Sequence, residues 1–192
     1  MAPILGIYAS QISGKLWQPD GAYDALATVT PTSSVNSITF TGIPNTYKHL
    51  QIRANVRCTG GSGTSLIWWR MNGLASTSNY ASHGLGGDGS SAYAYQIVGS
   101  YAMGLIGSTA HSGSTANAFS GIIMDVLDYS SSTKNKTVRS LRGEDFNGSG
   151  DIRLSSSLFI STDAVSSLTL GFLDNSGSFF NTASQISLYG VK

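Results

Sequence analysis

The sequence predicts an all-β protein, an antiparallel β-sandwich or barrel preceded by a short extended N-terminal arm. Three observations carry this. The stretch YKHLQIRANVRC, Tyr47 to Cys58, alternates Leu50, Ile52, Ala54, Val56 and Cys58 with Gln51, Arg53, Asn55 and Arg57. A strand sends successive side chains to opposite faces, so this period of two buries one row and hydrates the other. No helical period holds for three turns anywhere in the chain. About ten short apolar runs are separated by Gly, Ser, Asn and Pro turns, at the spacing of a sandwich or barrel. No repeat of fixed period occurs, which argues against a propeller or solenoid.

At 192 residues the chain is long enough for an arm and one domain with a real core, and it divides into an arm, 1–20, and a β domain, 21–192. Charged residues make up 11% and the net charge is +1. That is well below the roughly 25% of an ordinary globular chain. A surface so poor in charge and so rich in Ser, Thr, Gly and Asn suits a protein partly covered by neighbours. Without a basic excess, nucleic-acid binding has no phosphate-neutralising charge to draw on. The single Cys58 lies on the apolar row and reads as a small buried hydrophobe. The N-terminus has no basic region ahead of its apolar residues, so no secretory signal is expected. No run of 18 apolar residues is present, so no membrane-spanning helix is expected.

Residues 1–20 carry Ile4, Leu5, Ile7, Tyr8, Leu16 and Trp17, yet Pro3, Gly6, Gly14 and Pro19 forbid a long helix. Two readings fit. The segment is a first edge strand on its own domain, or an arm that docks on another protein. Ala22 to Thr30 is β-favouring and stops at Pro31. Ser37 to Phe40 (SITF) is a short strand, and Gly42 to Thr46 turn the chain towards the organising strand, so 37–53 reads as a hairpin-like corner. Thr59 to Thr64 is a flexible turn. Ser65 to Met71 (SLIWWRM) is apolar on both faces, so Trp68 and Trp69 point opposite ways, one into the core and the other towards a second layer or a partner. The pair is therefore a candidate oligomer interface.

Gly84 to Ser91 (GLGGDGSS) reads as a loop. Ala92 to Val98 sets Tyr93, Tyr95 and Ile97 on one face, and Tyr101 to Ile106 is a further short strand. Phe119 to Tyr129 is a long strand with Thr137 to Arg142 as its antiparallel return. Phe146 to Asp151 reads as a turn, followed by strands at 158–161, 167–173 and 186–191, with a hairpin turn at Asp174 to Ser178.

Chemistry-bearing patterns are weak throughout. His49, His83 and His111 have no metal spacing. GLGGDGSS has no strand-then-helix context for a phosphate. Asp145, Asn147, Ser149 and Asp151 follow the count of a calcium loop, but position 12 is Ser156 where a bidentate Glu is needed. Asp125 and Asp128 fall on opposite faces and form no acid–base pair. Tyr80, Tyr93, Tyr95, Tyr101, Phe179 and Phe180 either stack on sugars or fill the core, and aromatic burial favours the core. No catalytic residue, cofactor or metal site is expected, and the protein is not read as an enzyme.

The opening ILGIYASQISG, the stretch YDALATVT followed by SITFTGIPNTYKHLQIR, and the ending SLYGVK together resemble a family of small virion proteins of tailed bacteriophages. The resemblance covers residues 1–58 and 167–192. It implies a jelly-roll β-sandwich behind an N-terminal arm, with no catalytic residues. It further implies a homotrimer displayed on the virion and assembled in the host cytoplasm. Its partners would be other virion proteins, the major capsid protein or a tail or fibre protein, without nucleic acid or membrane. Within that family the chain reads first as a capsid decoration or head-fibre protein attached by its arm. The alternative is a receptor-binding tail-fibre tip that recognises host-surface carbohydrate.

Overall fold

The computed structural model describes residues 21–61, 65–173 and 177–192. Among them are twelve strands and one short 3-10 turn at Thr77–Asn79. The strands are β1 (Tyr23–Val29), β2 (Ser37–Phe40), β3 (His49–Val56), β4 (Leu66–Met71), β5 (Tyr80–Gly87) and β6 (Ala92–Val98). They continue as β7 (Gly104–Ser108), β8 (Ser120–Val126), β9 (Lys136–Asp145), β10 (Gly150–Phe159), β11 (Leu168–Phe172) and β12 (Gln185–Val191). They form two antiparallel sheets. The large one has the order β1-β12-β3-β8-β9-β10-β5-β6, and the small one β2-β11-β4-β7. The fold is all-β, as the alternation predicts, and consistent with a sandwich. The arm residues Ile4, Leu5, Ile7, Tyr8, Leu16 and Trp17 lie outside the described residues.

The core lies between the sheets. β3 is central to it, paired with β12 on one side and β8 on the other. Leu50, Ile52 and Val56 are fully enclosed, and Ile122, Met124 and Val126 of β8 continue their layer. Each such side chain contributes about 1.5–3 kcal/mol by leaving water. The small sheet answers with Ile67, Trp69, Met71, Leu170 and Phe172. Trp69 meets Tyr80 edge-on at 5.4 Å, and Tyr80 meets Phe159 at 5.4 Å. This aromatic chain ties the small sheet to β5 and β10.

Four expectations are corrected. The corner at 37–53 is not a hairpin: β2 pairs with β11 in the small sheet, while β3 lies in the large one. The chain crosses from one sheet to the other through Gly42, whose φ of 65° favours glycine. Gly84 to Ser91 is a loop only from Asp88 onward, because Gly84 to Gly87 belong to β5. There, the Tyr95 and Tyr93 rings occupy the space that Cβ atoms on Gly84 and Gly86 would fill. Phe146 to Asp151 turns only as far as Ser149, and one ten-residue strand, β10, runs from Gly150 to Phe159. β11 and β12 lie in different sheets, so the segment between them joins no hairpin; its residues 174–176 lie outside the described residues.

The hydrated row of β3 also departs from simple alternation. Arg53 and Asn55 are exposed as expected, but Gln51 is buried on the outer face. Its amide donates to Asp125 at 2.7 Å and its carbonyl accepts from Arg53 Nε at 2.7 Å. Lateral bonding covers a side chain that the period of two assigns to water.

Candidate interaction face

Alternation inverts in the part of the large sheet built from β9, β10 and β5. In β10 the residues that point inward are Asp151, Arg153, Ser155 and Ser157, while Ile152, Leu154 and Leu158 point outward. In β9, Arg142 and Lys136 point inward and are fully enclosed, while Leu141 points outward. The register of the sheet sets this, since a shift by one residue would exchange the faces.

The inward charges are paired locally, although Arg142 Nε meets no hydrogen-bond acceptor among the described residues. Arg142 pairs with Glu144 at 3.2 Å and with Asp151. Its guanidinium packs where a Cβ on Gly107 would stand. Arg153 lies over the Tyr93 and Tyr95 rings at 5.4 and 5.0 Å, and those hydroxyls bond to Asp151 and Ser155 at 2.6 Å each. The Lys136 ammonium donates to the carbonyls of Ser131, Lys134 and Thr162, and burial pushes its pKa below the ordinary value.

The outward residues build a continuous apolar surface. Ile123 of β8 pairs in register with Leu141, Leu141 with Leu154, and Leu154 with Leu85. These four are 43–60% exposed and form one ridge across four strands. Ile152, Leu158 and Val98, at 56%, 36% and 57%, stand on the same face, the last two beyond a polar row of Ser156, His83 and Gln96. Most of the large apolar side chains that the described residues expose therefore share one face. Scattered exposed leucines need no explanation, but a contiguous patch of several hundred Å2 marks an interaction site.

Beside the ridge runs a trough. Gly121 pairs with Gly143, which pairs with Ile152, which pairs with Gly87. The concavity over Gly121 and Gly143 holds about 520 Å3 and is bounded by Arg53, Asn55, Ile123, Leu141, Ile152 and Tyr189. A Cβ at either glycine would meet nothing within 4 Å, and neither has a positive φ. The fold of one copy does not require glycine at these two positions.

The far side of the same face is polar. Arg53 lies over Tyr23 and Tyr189 at 4.9 and 5.4 Å, and Asp125 receives Gln51 and faces Arg139 at 3.9 Å. At the end of the sheet, a second concavity of about 680 Å3 is lined by Asp88, Phe119, Glu144, Asp145 and Asp151. Hydrogen bonds from the Ser90 and Ser91 backbone hold the Asp88 carboxyl below its ordinary pKa. Glu144 and Asp151 are committed to Arg142, and no metal-holding cluster exists among the described residues. The calcium-like count is spent on a turn: Asp145 accepts from the Asn147 backbone at 2.8 Å, and Asn147 takes φ of 59°.

Trp69 is fully enclosed in the core. Trp68 faces outward from the small sheet, 8% exposed, covered by Arg70 at 4.9 Å and lying against Gly171. Tyr80 and Phe180 are core residues, and Tyr93 and Tyr95 are bonded within the sheet, leaving Tyr101 and Phe179 exposed. His49 accepts from the Asp128 backbone at 2.9 Å, and His83 and His111 do not meet it.

Sequence reading missed the ridge. A signal was present in the repeated pairing of a large apolar residue with glycine two places away, as in Gly121/Ile123, Leu141/Gly143 and Leu85/Gly87. No family model matches the chain, and neither does any curated protein or solved structure.

Proposed function

We propose that the chain is a structural protein of a bacteriophage virion, a capsid decoration or head-fibre protein of jelly-roll type attached through its N-terminal arm. The observation that carries this reading is the broad apolar face on a charge-poor all-β chain, a surface suited to assembly. The sequence resemblance supplies the virion setting.

Strand order supports the jelly-roll assignment. Set aside the hairpins β5–β6 and β9–β10, and eight strands remain. Pairing is then nested: first with last (β1–β12), second with seventh (β2–β11), third with sixth (β3–β8), fourth with fifth (β4–β7). Successive pairs alternate between sheets. This nesting supports reading the fold as the double Greek-key wrapping of an eight-stranded jelly roll. The two hairpins then add to β8 as a four-strand extension, and most of the apolar ridge is on it. The tail-fibre alternative requires an exposed aromatic cluster within 80–101, whereas Tyr93, Tyr95 and Tyr80 are engaged by Asp151, Ser155 and the core, and Tyr101 is exposed without them. The test is mass spectrometry of gradient-purified phage particles. The chain is expected at stoichiometric, many-copy abundance, and its absence from particles would remove this reading.

A further inference from the structure

We infer that the ridge and trough on the outer face of the large sheet are the contact between two copies of this chain, related by a two-fold axis across the strands. The inference does not depend on the virion reading, and it sets a two-fold pair in place of the homotrimer that the resemblance implies.

The geometry comes from the register. One row of paired, inward-pointing residues, Ala54–Ile122–Arg142–Arg153–Gly86, runs across the sheet. On β8, β9, β10 and β5 the ridge residue is one place to one side of the row and the trough residue one place to the other, while β3 carries Arg53 and Asn55 there. The separation is about 7 Å along the strand. A half turn about an axis lying in the contact plane and running over that row exchanges the two sides. It places Ile123 of the second copy over Gly121, Leu141 over Gly143 and Leu85 over Gly87, with Leu154 meeting Ile152. Three of the five large side chains thus face glycine while Leu154 and Ile152 face each other, and the surface complements itself. Such an isologous contact closes at two copies. Facing sheets then keep their strands aligned, as in an ordinary sheet-on-sheet packing.

Charge agrees independently. Arg139 and Asp145 are three places on either side of Arg142 on the same strand, so the same rotation brings Arg139 of each copy to Asp145 of the other. Both are exposed, and Arg139 holds Asp125 only at 3.9 Å. A net charge of +1 gives two copies almost no mutual repulsion. A footprint of about 24 Å by 27 Å, five strands wide and eight residues long, is roughly 650 Å2 per copy, close to the ~800 Å2 of a standard interface. The glycines at 121 and 143, which the single copy does not need, are explained as room for the partner's Ile123 and Leu141.

The experiment is sedimentation equilibrium of the full chain at micromolar concentration, with circular dichroism to confirm folding of every variant. The expected mass is twice the 20.1 kDa of one chain. Gly121→Leu combined with Gly143→Leu fills the trough while enlarging the apolar surface, and should weaken pairing about ten-fold or more. A merely sticky patch would instead associate more strongly. Arg139→Asp alone and Asp145→Arg alone should each weaken pairing, and the two together should restore it, which keeps the test decisive even if the leucine variant does not fold. A monomer, a trimer, tighter pairing by the leucine variant, or no restoration by the charge exchange would overturn the proposal. Failure to find the chain in virions would leave these masses unchanged.

Discussion

Gln51 and Arg53 are two residues apart on one row, yet they have different fates. Arg53 is exposed and leans on Tyr23 and Tyr189, whereas Gln51 is covered by its bonds to Asp125 and Arg53. Ile52 between them faces the opposite way, with no exposure. Ile52→Ala should therefore cost about 2–5 kcal/mol in urea unfolding. Arg53→Ala should cost about 1 kcal/mol, the worth of exposed cation–π contacts. Equal losses would mean the faces are misassigned. Asp128 makes a second residue-scale test. Lys134, bonded to it at 2.8 Å, holds its carboxyl below the ordinary value of 3.8. A depressed carboxylate adds stability above its unfolded pKa, and that stability is lost as pH falls through the lower folded value. The melting temperature should drop with acidification below about pH 4, and less steeply in Asp128→Asn, since asparagine tolerates the φ of 50° at this position. Identical slopes would show that this pair does not couple folding to pH. Alternation made Leu50, Ile52 and Val56 legible in the sequence. The cover over Gln51 was not, because it depends on Asp125 from a strand far along the chain.

At the scale of elements, glycine decides what was readable. β5 looks like a loop because its end is GLGG, yet Gly84 and Gly86 are strand residues that give room to Tyr95 and Tyr93. The matching period of two, glycines at 84 and 86 and tyrosines at 93 and 95, is visible only once the two strands are known to pair. In the small sheet, Gly104 lies against the enclosed Trp69 ring, where a Cβ would overlap the indole. Gly104→Ala should destabilise by about 1–3 kcal/mol, as overpacking does in a filled core. A neutral result by thermal melting would mean that β7 can move away from β4. The inversion in β9 and β10 escaped sequence reading for a different reason. Hydropathy points the wrong way in GDIRLSSSLF, because Ile152, Leu154 and Leu158 share the exposed row while Asp151, Arg153, Ser155 and Ser157 share the inward one. The Arg142–Glu144–Asp151 group and the tyrosines over Arg153 fix the choice, and those partners come from three strands.

For the molecule as a whole, fold class followed from composition and period, whereas sheet membership did not. A turn such as GIPNT says that the chain reverses, and it is silent on whether the flanking strands pair or cross the sandwich. The nested pairing of β1–β12, β2–β11, β3–β8 and β4–β7 supplies the crossing, and the inserted hairpins widen one sheet to eight strands. Widening leaves an apolar face that one copy does not cover. That face and the apolar stretch at 1–20 are the basis of the proposed assembly role. The most direct measurement mixes particles lacking this protein with the full chain, or with a chain lacking residues 1–18, and pellets them. The full chain is expected to sediment with the particles, while the shortened chain melts at the same temperature yet stays in the supernatant. Full chain left in the supernatant, or equal loading of both, would contradict attachment through the arm.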